Sequence, residues 1–418
     1  MKLRLSSHYF IASVLLLWII GWASLPGIGG AHSIEELSSG FHKITSKSML
    51  ILFFAIAFST KITIFTKFIS DSKAIFLFIL INLFLLSRSQ NTFYSATRLI
   101  DFFLLISSAY LFLYTTRYSV DLTSKLTFIF KLLTLYLFTA LIIFIFIPNW
   151  GAIGAGFNAN EMEYTFRLGG TFIRIDAAAS LAGACLAYWL FDANENGDYS
   201  TKFRICAIVI SGTVLVLTYS RSVIIATSIS FIYIYIKRTN SLTWWKLFII
   251  SISCVLLIIF GNQIFSLYTR NESIENIQTA SGRLFTLVSM FNANSWFDLL
   301  VGNGFGMHSP LGLYVPVPEL AQDMSSAHNG YLSVLLGSGL TGLCIIFWIH
   351  ISLFLRIRSN DRKKSYPMLR WAFPAYLLLS ISTLFDYGIW GIASPALLIF
   401  FLLYYSSMKV IEMETHRT

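Results

Sequence analysis

Charge is what this sequence has least of. Only 12% of its 418 residues are Asp, Glu, Lys or Arg, and 20 acidic residues face 30 basic ones. Soluble domains carry roughly 25% charged residues, so this chain has too little polar material to clothe a soluble core. The net charge of +10 also lacks the form that nucleic acid requires, because Lys and Arg are scattered between apolar segments and make no stripe with interleaved aromatics. No nucleic-acid partner is expected. Cysteine is scarce as well. Cys185, Cys206, Cys254 and Cys344 lie singly inside apolar segments, which argues against disulfides or thiolate metal sites and makes each a small buried hydrophobe.

What is abundant is hydrocarbon: 56% of the residues are hydrophobic, and apolar stretches of helix-spanning length recur from end to end. They predict twelve spans, at 9–25, 49–68, 74–87, 97–115, 126–148, 172–191, 203–219, 222–236, 244–260, 329–350, 370–385 and 389–407. The start, Met1-Lys-Leu-Arg before an apolar run from Tyr9, resembles a secretory signal. Because more spans follow it, it reads as a retained first helix.

Placing both termini on the cytoplasmic side puts eighteen basic residues in inner segments and nine in outer ones, with Lys61, Lys67 and Lys131 unassigned. That bias is the one orientation demands, and the turn from Arg356 to Arg370 anchors it with six basic residues. The expected organisation is nine helices over 1–260, a large outer loop over 261–328 and three helices over 329–418. The loop contains Leu284, Phe285, Trp296, Phe297, Leu299 and Leu300, which predicts a partly helical cap lying on the membrane. The fold class is all-α, a polytopic helical membrane protein.

Three outer segments bring together residues able to do chemistry. Thr218-Tyr-Ser-Arg-Ser222 supplies Arg221 at a span boundary, Ser281-Gly-Arg283 supplies a second arginine, and Ala327-His-Asn-Gly-Tyr331 supplies His328 before an apolar helix. Each has an ordinary reading: Arg221 anchors a turn, Arg283 pairs with Glu275 or Asp298, and His328 caps a helix. As a set they fit an anionic diphosphate substrate and a hydroxyl acceptor. Guanidinium groups offer fixed charge and bidentate donors to phosphate, and imidazole accepts a proton near neutral pH.

Other features weigh less. Gly302-Asn-Gly-Phe-Gly306 and Gly151-Ala-Ile-Gly-Ala-Gly156 follow no strand-to-helix pattern and read as flexible turns, not nucleotide loops. Arg167, Arg174 and Asp176 add charge at the mouth of the sixth span, where Arg174 and Asp176 can neutralise each other. Arg98 and Asp101 are spaced to pair on one helix face. Asp386, near the outer end of the eleventh span, is positioned to bond a sugar hydroxyl or orient His328.

The stretches TYSRSVIIA at 218–226, SGRL at 281–284, LLVGNGFG at 299–306 and AHNGYLSVLLGSGLTG at 327–342 resemble the O-antigen ligase and polymerase superfamily, which includes ExoQ-like exopolysaccharide polymerases. RLGGTF at 167–172 is similar to the family's piece ahead of a span, although Arg174-Ile-Asp176 stands where a Pro-Asn-like pair continues it. The resemblance implies a GT-C-like membrane glycosyltransferase, inverting, independent of metal and of any cofactor. Its donor would be an undecaprenyl-diphosphate-linked oligosaccharide. The glycan acceptor would be the lipid A-core in a ligase, or a lipid-linked repeat unit in a polymerase of O-antigen or exopolysaccharide. A chain-length regulator is the protein partner it suggests.

Carried over by motif, Arg221 and Arg283 face the donor diphosphate and His328 stands near the acceptor. Arg167, Arg174, Asn329, Tyr331 and Asp386 are the expected substrate contacts. The enzyme would sit in the bacterial inner membrane with its active site facing the periplasm. HNGYL and GLTG look closer to the polymerase branch than to the ligases. Two readings of other classes stand beside these. A lipid-linked sugar flippase or transporter would show polar residues at mid-membrane depth and two similar halves. A non-catalytic assembly partner would keep its function without the three basic side chains.

Overall fold

A computed structural model describes residues 62–89, 91–114, 116, 118–147, 152–154, 166–168, 175–191, 200–238, 294–306, 329–363, 370–385, 389–390 and 395–415. Within them the chain forms eleven helices and one short strand pair. α1 is Ile62–Asp71, α2 Lys73–Phe84 with a 3-10 turn over Leu85–Arg88, α3 Thr92–Tyr114 and α4 Ser119–Phe146. Strands β1 (Ala152–Gly154) and β2 (Phe166–Leu168) follow, then α5 (Ile175–Phe191), α6 (Thr201–Leu217) and α7 (Arg221–Arg238). The last four helices are α8 (Trp296–Val301), α9 (Gly330–Lys363), α10 (Ala372–Phe385) and α11 (Pro395–Thr415).

The outer faces of these helices are as apolar as their inner faces. Leu77, Leu80, Leu83, Leu135, Ile145, Ile205, Val209, Trp348 and Leu355 all point away from the protein and are exposed. A helix in water turns a polar face outward, so an apolar exterior marks a bundle solvated by lipid. Cys206 and Cys344 share that exterior, contrary to the expectation that they are buried; only Cys185 is buried, and Cys254 lies outside the described residues.

The expectation of about twelve spans is overturned. Four described helices are long and apolar enough to cross a membrane: Thr92–Tyr114, Val120–Phe146, Gly330–Ser359 and Pro395–Met413. A fifth is reached if α1 and α2, bent by 91° at Ser72, count as one broken span. The difference is one of length. Spans were expected over 172–191, 203–219 and 370–385, whereas α5 and α6 have 17 residues and α10 has 14. At about 1.5 Å per residue they reach roughly 21–26 Å, short of a hydrocarbon core of about 30 Å. The predicted spans 9–25 and 244–260, and most of 49–68, lie outside the described residues.

The all-α, polytopic helical class stands, whereas the GT-C-like form with about twelve spans and a separate cap is not what the described residues make. β1 and β2 pair antiparallel, with Ile153 opposite Arg167, so a strand pair stands where only helix and turn were expected. Of the predicted cap, only 294–306 is described, and it is packed into the helices. Ser295 and Asp298 close a capping box that fixes the start of α8, and Leu299 packs against Leu332 and Leu336 of α9.

The chain runs between two ends of the bundle. At one end α3 leads into α4 and α5 into α6, with Lys125 donating to the Phe112 carbonyl at 3.1 Å and Arg204 to the Trp189 carbonyl at 2.7 Å. Arg356 and Lys409 belong to this end, where Lys409 lies 5.5 Å from the Tyr114 ring. The opposite end carries the 3-10 turn after α2, the turn between α6 and α7, and the last turn of α10.

α9 is broken at Gly339, whose φ of +68° and ψ of −176° lie outside any helix. Tyr331 stacks on Phe347 at 5.6 Å between ring centroids. Sixteen residues of straight helix would part them by about 24 Å, so the break folds the first two turns back on the second part as a helical hairpin. The carbonyls freed at the break are taken by the glycine turn after α8. Asn303 N donates to Leu336 O at 3.0 Å and Gly304 N to Gly337 O at 2.9 Å.

His350 sits at the centre of the packing between α9, α10 and α11. Its Nε2 accepts from Trp390 Nε1 at 2.8 Å, which leaves the proton of the neutral ring on Nδ1, facing Ser380 Oγ at 3.4 Å. Tyr331, Tyr376, Trp390 and Phe400 surround the ring.

Candidate functional site

The turn from α6 to α7 is built against local preference. Tyr219 adopts a φ of +48°, a left-handed conformation that costs a non-glycine residue about 1–2 kcal/mol. Thr218 and Ser220, on either side of it, are buried. Thr218 Oγ1 donates to the Leu215 carbonyl at 2.7 Å, and Ser220 Oγ donates to Asp176 Oδ1 at 2.9 Å. Asp176 lies in the first turn of α5, where the helix dipole favours a carboxylate.

Arg221 is the first residue of α7 and is partly buried. A cation at a helix N-terminus opposes the dipole, at a cost of typically 0.3–1 kcal/mol. Backbone strain, a buried turn and a cation at the disfavoured helix end coincide in three consecutive residues. Strain of this kind persists only where surrounding contacts hold it, here the bonds made by Thr218 and Ser220. The expected pairing of Arg174 with Asp176 lies outside the described residues on the Arg174 side, and Asp176 also accepts the bond from Ser220.

The second part of this end is the hairpin of α9. Asn329 stands before Gly330; its Oδ1 accepts from Leu332 N at 2.9 Å as a cap, and its Nδ2 donates to the Leu384 carbonyl of α10 at 2.8 Å. Tyr331 OH donates to the Ser380 carbonyl at 3.4 Å. Both side chains, expected to touch substrate, bind α9 to α10. α7 packs along the same α10, where Gly183 of α5 lies between Leu378 and Thr227. α10 therefore joins the Arg221 turn to the start of α9.

Arg88 completes this end. Its Nη2 donates to Asp298 Oδ1 at 2.8 Å, and its guanidinium lies 4.7 Å from the Phe297 ring centroid. Asp298, one of the two acids (with Glu275) offered as an ordinary partner for Arg283, is bonded by Arg88 and Ser295; Arg283 and Glu275 lie outside the described residues. Arg98 and Asp101 pair at 3.7 Å as their spacing predicts.

Of the residues expected to form the site, Arg221, Asn329 and Tyr331 are placed on helices that share α10. Arg167 lies on β2, in register with Ile153. Arg283, His328, Arg174 and Asp386 lie outside the described residues; Asp386 directly follows Phe385, the last residue of α10. Sequence reasoning missed Ser220 as the partner of Asp176, Arg88 as the partner of Asp298, and the break at Gly339. Ser220 stood inside the quoted TYSRS stretch, and Gly339 inside LLGSGLTG, so the signal for both was present as a polar or glycine residue interrupting an apolar run.

Residues 206–347 match the family model described as O-antigen ligase. The matched segment begins in α6, passes through Arg221, and ends within α9 at Phe347; the positions of Arg283, His328, Asn329 and Tyr331 fall inside it. Arg167, Arg174 and Asp386 fall outside it. No curated protein matches the chain. Through this segment, about a third of its length, and through its membrane-spanning helices, the chain is similar to O-antigen ligases, which supports membership of the ligase and polymerase superfamily and a membrane enzyme of that general kind.

Proposed function

We propose that the protein is a membrane glycosyltransferase that moves a glycan from undecaprenyl diphosphate to a sugar hydroxyl, polymerising O-antigen or exopolysaccharide repeat units. The observation that carries this reading is the match of 206–347, which takes in all three basic residues expected to do the chemistry. The acceptor hydroxyl attacks the anomeric carbon from the side opposite the diphosphate, which inverts that centre. His328 takes the hydroxyl proton. Arg221 and Arg283 hold the diphosphate and neutralise it as its bond to the sugar breaks. The lipid-diphosphate bond supplies the free energy, so no external energy source is needed, and the family resemblance implies a reaction without metal or cofactor. Arg167, Arg174, Asn329, Tyr331 and Asp386 contribute to the glycan path, Asn329 and Tyr331 by holding α9 against α10. The reaction faces the periplasm of the bacterial inner membrane, and a chain-length regulator is the expected protein partner.

Transfer to the lipid A-core is the second reading, favoured by the description of the matching family as O-antigen ligase. An envelope glycan gel from a deletion strain separates the two. Loss of the long ladder with one repeat still on the core indicates a polymerase, and loss of every repeat indicates a ligase. An intact core glycan with missing secreted polymer indicates an exopolysaccharide role. Arg283→Ala, with the protein still inserted, is expected to abolish long glycan; normal polymer in that strain would remove the catalytic assignment.

A further inference from the structure

At the end of the bundle away from Arg221 lies a cavity of about 290 Å3 between α1, α3, α9 and α11. Its charged lining is Asp71, Arg356, Lys409 and Glu412. Both carboxylates are already engaged. Glu412 accepts from Lys67 at 2.6 Å and from Lys409 at 2.7 Å, and Asp71 Oδ2 accepts from Tyr110 OH at 3.0 Å. With Lys67 included, three cations stand against two anions, and Arg356 carries the excess. Its guanidinium lies 4.7 Å from the Tyr404 ring centroid, while its Nη1 is shielded from solvent with no hydrogen-bond partner among the described residues.

A buried guanidinium N–H without an acceptor is costly, so the group that would complete this cavity is an acceptor of negative charge. Planar guanidinium suits phosphate oxygens in particular. Depth and wall chemistry narrow the choice further. Arg356 lies three residues before Ser359, where the apolar span of α9 ends, about 5 Å along the axis, so a headgroup at that end of the bundle is within its reach. Leu113, Met408 and Ile411 supply apolar wall beside it. Basic pockets between membrane helices take anionic headgroups.

We propose that this cavity binds one phosphate group, carried by an anionic phospholipid headgroup, with Arg356 as its principal ligand and Lys409 beside it. The full-length protein is exchanged into mixed micelles of phosphatidylcholine with or without phosphatidylglycerol, and retained lipid is read by native mass spectrometry. The wild type should keep one phosphatidylglycerol in preference to phosphatidylcholine. Arg356→Gln should weaken phosphatidylglycerol retention about fivefold and leave phosphatidylcholine unchanged. Met408→Trp, which fills the cavity without altering charge, should do the same. Failure of inorganic phosphate to displace the lipid supports the headgroup; displacement at millimolar phosphate supports the phosphate site but assigns it to a soluble anion. Equal phosphatidylglycerol retention by the wild type and both variants, each monodisperse with a wild-type melting temperature, overturns the proposal.

Discussion

At the scale of single residues, the Arg221 turn concentrates features that stability alone would not select. A left-handed Tyr219 and a cation heading α7 both work against the helices they join. If Ser220 and Asp176 exist to hold that turn, Ser220→Ala and Asp176→Ala should each lower glycan production while the protein stays folded. The lost bond, made to a carboxylate, is worth about 1.5–3 kcal/mol, so each variant should melt several degrees below wild type yet still fold. Quantified glycan gels beside melting curves in detergent check this, and full activity in both variants would show the bond to be incidental. His350 is a contrasting case, a buried ionisable group whose partners are structural. Trp390→Phe leaves its Nε2 buried with no donor from residue 390, which should destabilise the protein by about 1–3 kcal/mol. A melting temperature equal to wild type would mean that this bond contributes nothing to stability.

At the scale of elements, the hairpin in α9 is the feature most sensitive to one atom. A Cβ on Gly339 would run into the backbone of Leu300 and Val301, and its φ of +68° would be strained in any L-residue. Gly302, with a φ of +96°, faces it across the same contact. Gly339→Ala should therefore push the turn after α8 away from the hairpin, lowering the melting temperature and glycan output together. Limited proteolysis between α8 and α9 offers a direct readout, with faster cleavage expected in the variant and an unchanged pattern counting against the wedge. Arg88 acts on the same unit from the other side, since its bond to Asp298 ties α8 to the turn after α2. Glycine spacing alone suggested flexible turns at 302–306. The structure makes them close contacts instead, because a break in α9 exposes carbonyls that Asn303 N and Gly304 N reach, and the missing Cβ of Gly302 permits that approach.

At the scale of the whole molecule, the described helices place a cluster of charged residues at each of two ends. Lys67, unassigned from the sequence, joins Lys409, Glu412 and Arg356 at one; Arg88, Arg98 and Arg221 gather at the other. If the charge bias sets orientation, cysteines placed one at a time in a cysteine-free background should label asymmetrically from outside the cell. Phe93→Cys and Phe146→Cys, at exposed positions of the Arg221 end, should react with an impermeant maleimide in intact spheroplasts. Tyr118→Cys, exposed at the Arg356 end, should react only after permeabilisation. The reverse pattern would invert the orientation and with it the side of the reaction. Sequence alone determined that the chain lives in lipid, roughly where most of its described helices begin and end, and which short motifs are out of place among apolar runs. Those properties follow from local composition, because a helix in hydrocarbon must satisfy its own backbone and present apolar side chains. Only the tertiary structure decided how many described helices are long enough to span, that α9 doubles back at Gly339, and that Arg88 bonds Asp298 and Ser220 bonds Asp176. Helix length depends on where packing and caps stop each segment, and partners 210 or 44 residues apart in the chain meet only when the bundle has closed.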